Sequence, residues 1–132
     1  MEIPGGEGMM DRLVIATETQ NGLNAPVAQH FGRAPYFLIV DLDAKLGITS
    51  VKTIDNISEH RGGTGSPHDH ISKLQPSALI VHGMGPRGIM AFKNAGIKVL
   101  QANANTVNEV IEAYKQGKLQ ELTEGCADAH HH

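Results

Sequence analysis

The sequence predicts an α/β layered domain on a mixed sheet of about five strands. Three observations carry this reading. Apolar runs of strand length recur along the chain, the first three follow one another without a helix between them, and strand and helix signals alternate from residue 66 onward.

The run at 12–17 (RLVIAT) has the unbroken apolar character of a strand buried on both faces. A polar stretch follows over 18–35, with turn signals at Asn21-Gly22 and Ala25-Pro26, and it contains His30-Phe31-Gly32-Arg33. Loops of this length within a domain are usually functional or disordered. Residues 36–42 (YFLIVDL) predict a second buried strand, 43–47 a turn, and 48–54 (ITSVKTI) a more exposed third strand, together an antiparallel hairpin. Ser66-Pro67-His68-Asp69 opens a short helix with a cap, a first-turn proline and a carboxylate, and Ile71 and Leu74 supply its apolar face. Residues 77–81 (SALIV) form the next strand. Gly85-Pro86 then starts a helix whose inward positions are Ile89, Phe92 and Ala95, ended by Gly96. Residues 97–100 (IKVL) are the last strand. Thr106-x-x-Glu109 is a capping box, after which Val107, Val110, Ile111 and Tyr114 make one helical stripe, closed at Gly117.

These elements imply a single domain over 11–120, with a flexible leader at 1–10 and a mobile, histidine-rich tail at 121–132. The leader has no apolar stretch of the secretory kind, and no apolar run reaches the roughly 20 residues of a membrane span. The expectation is a cytoplasmic protein that engages no membrane. A net charge of −3 in 132 residues argues against nucleic-acid binding by charge alone. A single cysteine, Cys126, excludes an internal disulfide and any all-cysteine zinc or iron–sulfur site within one chain. Eight histidines, against five aromatic residues of the Phe, Tyr and Trp type, point toward metal chemistry of another kind.

Two glycine-rich turns run into helices: 61–66 (RGGTGS) and 82–88 (HGMGPRG). Helix starts present unpaired N–H groups and partial positive charge, and glycine lets the backbone approach an anion. Arg61 and Arg87 add guanidinium charge. Residues 83–88 match G-x-G-x-x-G, but Pro86 interrupts the pattern and Asn103 stands where a ribose-binding acid belongs. The same glycines also read as a tight turn and nothing more.

The histidines fall into groups. His30 lies in the long loop beside Arg33. His60, His68 and His70 flank the first glycine turn, and His82 precedes the second. On a helix His68 and His70 point about 200° apart, so the two do not share a metal. Cys126 with His130, His131 and His132 offers a thiolate–imidazole set, although the last three also read as a purification-tag remnant. There is no H-E-x-x-H, G-x-S-x-G or Walker motif, and no clustered carboxylates of a two-metal nuclease. The expectation is a non-enzyme.

His30-Phe-Gly-Arg-Ala-Pro-Tyr-Phe37, Gly83-Met-Gly-Pro-Arg87, Ala95-Gly-Ile-Lys-Val99 and Thr106-Val-x-Glu-Val110 with Tyr114-x-x-Gly117-x-Leu119 resemble the dinitrogenase iron–molybdenum cofactor biosynthesis family. The resemblance runs over about residues 12–120. It implies a three-layer α/β/α, ribonuclease H-like fold with a mixed five-stranded sheet. It also implies binding, carriage or storage of an iron–sulfur or molybdenum-containing cluster, with the histidine of His-Phe-Gly, here His30, tied to that binding.

The resulting expectation is a carrier for an anionic iron–sulfur or iron–molybdenum–sulfur cluster or its precursor. His30 is the first metal ligand, and His60, His82 and Cys126 are further candidates. Gly32, Arg33, Arg61, Gly83, Gly85 and Arg87 are the anion contacts. Its partners are the proteins that donate and accept the cluster, and the chain is a monomer or weak homodimer. Two alternatives stand beside it: a small regulatory or interaction domain without metal, and a nucleotide- or phosphate-binding enzyme using the glycine turns.

Overall fold

The first apolar run becomes the hub of the sheet because residues 13–17 are buried on both faces and polar neighbours occur only at its start. A computed structural model describes residues 11–55 and 71–122. Its strands are β1 (Asp11–Thr17), β2 (Tyr36–Leu42), β3 (Ile48–Asp55), β4 (Ala78–Val81), β5 (Lys98–Gln101) and β6 (Gln120–Glu121). They form one six-stranded sheet in the order β3-β2-β1-β4-β5-β6. The strand pairs β1–β2, β2–β3 and β5–β6 are antiparallel, and β1–β4 and β4–β5 are parallel, so the sheet is mixed as expected.

The expected count of five strands is corrected to six. Gln120 and Glu121 are polar and exposed, so no apolar alternation marks them. Their pairing rests on backbone geometry, with the Leu122 N–H donating to the Val99 carbonyl at 2.8 Å.

Helices cover both faces of the sheet. α1 (Pro86–Asn94) buries Ile89 and Phe92 against Val14, Phe37, Ile39 and Leu79. Ala95, expected inward, is instead the exposed cap of this helix. α2 (Val107–Lys115) lays Val107, Val110 and Ile111 on Leu13, Leu38, Val40 and Ile80. The alternation of side chains along β1, β2 and β4 therefore divides the apolar residues into two cores. Both helices end before a glycine in the left-handed region, Gly96 at φ +83 and Gly117 at φ +72. Residues 71–73 are helical, and Ile71 and Leu74 join the α1 face. The start of the expected helix at 66–70, the leader at 1–10 and the tail from 123 lie outside the described residues. Among the described residues no helix is long and apolar enough to cross a membrane.

The long polar stretch at 18–35 is held in place along its length. Its backbone is pinned by Glu18 N–H to Pro26 O, Val27 N–H to Asn105 O, Ala28 N–H to Ala16 O and Val107 N–H to Ala25 O, at 2.8–3.0 Å. Ala25, Val27, Ala28, Phe31 and Ala34 are buried. These residues, small apart from Phe31, tuck the strap onto the sheet's end without a helical or strand period, which is why its sequence reads as loop.

Candidate functional site

β1 and β4 are adjacent and parallel, with Leu13 opposite Ala78 and Ile15 opposite Ile80. The segments leaving their carboxyl ends therefore emerge side by side, where open α/β sheets place ligands. One carries His30 and the other His82. The Phe31 N–H donates to the Gly83 carbonyl at 3.3 Å and joins the two segments. Between them lies a cleft of about 580 Å³, lined by Gln29, His30 and Phe31 on one side. His82, Gly83, Met84, Gly85 and Gly88 line the other.

Phe31 anchors this arrangement. It is buried, stacks at a tilt on Phe37 with centroids 5.5 Å apart, and meets Phe92 edge-on at 5.6 Å. It heads a 3-10 turn (Phe31–Arg33) for which His30 is the extended N-cap residue. A buried ring thus holds the exposed His30 at the mouth of the cleft. In the sequence Phe31 stands inside the His-Phe-Gly motif without an assigned role. An aromatic side chain alone in a polar stretch was the signal.

His82 is half-buried, and its backbone carbonyl accepts a bond from Gln101 Nε2 at 3.4 Å. Its Nε2 is buried with no hydrogen-bond partner among the described residues. Leaving such an atom unpaired costs about 1–3 kcal/mol, so it calls for a functional reason. An imidazole nitrogen in that state is a lone-pair or N–H group awaiting a partner, and histidine is the side chain that metals most often meet.

The third component is the start of α1. Gly85 is its N-cap without a side-chain hydrogen bond, and Pro86 occupies the first helical position. The first-turn amides of Arg87 and Gly88 have no acceptor within the helix. Beside Gly85 a Cβ would meet nothing within 4 Å, so open space adjoins these donors. At Gly83 a Cβ would stand 3.5 Å from the Gln29 carbonyl, an ordinary contact at the point where the two segments approach. Among the described residues no carboxylate lines the cleft. It combines imidazoles, a Met84 thioether and a helix start, a donor set for soft or borderline metals and for negative charge.

Of the residues expected at the site, His30, His82, Gly83 and Gly85 come together at this cleft. Gly32 lies in the 3-10 turn beside it. Arg33 and Arg87 are exposed near it in sequence but do not line it. His60, Arg61 and Cys126 lie outside the described residues, as do His68, His70 and His130–His132. Gln29, Met84 and Gly88 line the cleft without having been singled out. Among the described residues no three His, Cys, Asp or Glu side chains gather as a metal-binding group.

Comparison with known proteins places this arrangement. An uncharacterized protein of Methanocaldococcus jannaschii is 33% identical over 102 residues, covering 75% of this chain and 85% of that protein. The NMR structure of a NifB-like protein of Thermotoga is 30% identical with a TM-score of 0.68, covering 86% of this chain and 94% of the other. The apo form of the orange protein from Desulfovibrio gigas is 25% identical with a TM-score of 0.70, covering 86% and 93%. Residues 11–117, which span strands β1 to β5, α1, α2 and the cleft, match the dinitrogenase iron–molybdenum cofactor family, and the chain belongs to it.

Proposed function

We propose that the chain is a non-enzymatic carrier that binds an anionic iron–sulfur or iron–molybdenum–sulfur cluster, or its precursor, in the cleft between the strap and the start of α1. The observation that carries this reading is the buried Nε2 of His82, unpartnered among the described residues, on a cleft that His30 also lines and that none of their carboxylates enters. Imidazole nitrogen serves the metal, and the first-turn amides of α1 serve the sulfides. Arg33 and Arg87, exposed nearby, add positive field around the entrance. Few protein ligands and an open mouth suit capture and release between donor and acceptor proteins in the cytoplasm. The sheet order, with antiparallel β1–β2–β3 and parallel β1–β4–β5, supports the ribonuclease H-like arrangement that the resemblance implies.

The test is anaerobic reconstitution with iron, sulfide and molybdate. His30→Ala weakens cluster binding by about tenfold or more, the scale of losing one metal-site interaction. Removal of residues 126–132 changes it little. Equal binding by the His30 variant overturns the assignment. A second reading, a regulatory or interaction domain without metal, is favoured by the lack of a three-ligand group among the described residues. A protein that takes up neither metal nor sulfide under those conditions decides for it.

A further inference from the structure

The strand that carries His82 at its carboxyl end has a second cleft at its other end. This cleft, of about 300 Å³, is lined by residues from β1, from β4 and the residue before it, from β5, and from α2 and the segment after it. It sits on the α2 face. Leu13, Ala78 and Leu100 belong to that face's core, Lys98 is in register with Ala78, and Asp11 stands two residues before Leu13 on β1. Strand alternation therefore sends Asp11, Ala78, Lys98 and Leu100 to one side, and α2 closes over them with Tyr114.

The polar groups are arranged by sign. The Tyr114 hydroxyl donates to Asp11 Oδ2 at 2.6 Å, which fixes the carboxylate and leaves its other oxygen to accept. Burial first, then Asp11, push the phenol above its ordinary range, so it remains a donor. Ser77 Oγ accepts the Arg12 N–H at 3.1 Å and keeps its own proton to give. Lys98 is exposed, and among the described residues nothing pairs its ammonium. An anion alone would face Asp11, and a cation alone would face Lys98. A molecule carrying both charges satisfies the two ends, while Leu100 and Leu119 offer apolar wall between them.

We propose that this second cleft is a binding site for a small zwitterion of the free α-amino-acid class, its ammonium on Asp11 and its carboxylate on Lys98 and Ser77. The site is separate from the His30–His82 cleft and does not depend on the function proposed for it.

The experiment is calorimetric titration of the whole chain with L-leucine, N-acetyl-L-leucine and L-leucinamide at millimolar concentration. The expected result is saturable binding of L-leucine and at least tenfold weaker binding of the two blocked analogues. Lys98→Met, at an exposed position, reduces L-leucine affinity at least tenfold, and so does Asp11→Asn, which keeps an acceptor for Tyr114. His30→Ala leaves it unchanged. Absence of saturable L-leucine binding overturns the proposal. Equal binding of the blocked analogues, or undiminished binding by both variants, overturns it as well.

Discussion

The cleft depends on two side chains that sequence composition weights very differently. His82 contributes one of eight histidines, yet it alone carries a buried nitrogen with no partner among the described residues. Replacing both the polar atom and its burial cost with an apolar ring is nearly neutral or stabilising in general. His82→Phe should therefore leave unfolding free energy unchanged or raise it by up to about 1 kcal/mol, while weakening cluster retention. Chemical denaturation beside metal analysis checks both halves. A clear loss of stability would mean that the imidazole serves packing. Phe31 behaves in the opposite way. Its ring lies between Phe37 and Phe92, so Phe31→Ala should cost about 3 kcal/mol, the lower end of the range for a buried phenylalanine. Urea unfolding measures this cost, and the freed His30 segment should show faster amide exchange. The candidate histidines were legible in the sequence as residue types. Which of them meet was not, because it depends on the parallel pairing of β1 with β4, a contact between distant parts of the chain.

At the level of elements, local chemistry accounts for most boundaries. The antiparallel hairpin of β2 and β3 turns through 43–47, where Asp43 Oδ1 accepts the N–H groups of Gly47 at 2.8 Å and Lys45 at 2.9 Å. These bonds, Gly47's first, hold the Asp43 carboxyl below its ordinary range. The folded value lies under the unfolded one, so the stabilisation is full above the ordinary carboxylate pKa of about 4 and fades as pH falls below it. Asn at this position does not titrate. The melting-temperature difference between the protein and Asp43→Asn should shrink as pH is lowered from 6 to 3, which thermal melts at both pH values measure. The capping box of α2 was equally readable, and the Thr106 N–H does donate to Glu109 at 3.3 Å. β6 was not, since two exposed polar residues pair only because β5 offers them a free edge. The strap over 18–35 escaped a structural reading for a related reason. Its order comes from bonds to Ala16, Asn105 and Val107, none of which its own period reveals.

For the whole molecule, the apolar runs at β1, β2 and β4 foretold strands buried on both faces, and the apolar stripes of α1 and α2 foretold helices packed on that sheet. Burial at β1 and β4 bears this out: Leu13, Val14, Ile15, Leu79 and Ile80 are all 0% exposed. That sheet is what makes a loop-built site workable, because it sets His30 and His82 on neighbouring segments that Phe31 and its bond to Gly83 then hold together. On the function proposed above, the cleft at the carboxyl ends of β1 and β4 is a dock for metal–sulfur cargo. Metal and acid-labile sulfide analysis of the untagged protein, purified anaerobically from its native host, addresses that claim most directly. The predicted result is a coloured protein carrying iron and sulfide in fixed proportion, lost on His30→Ala without loss of folding. A colourless, metal-free protein that stays so after reconstitution would contradict it.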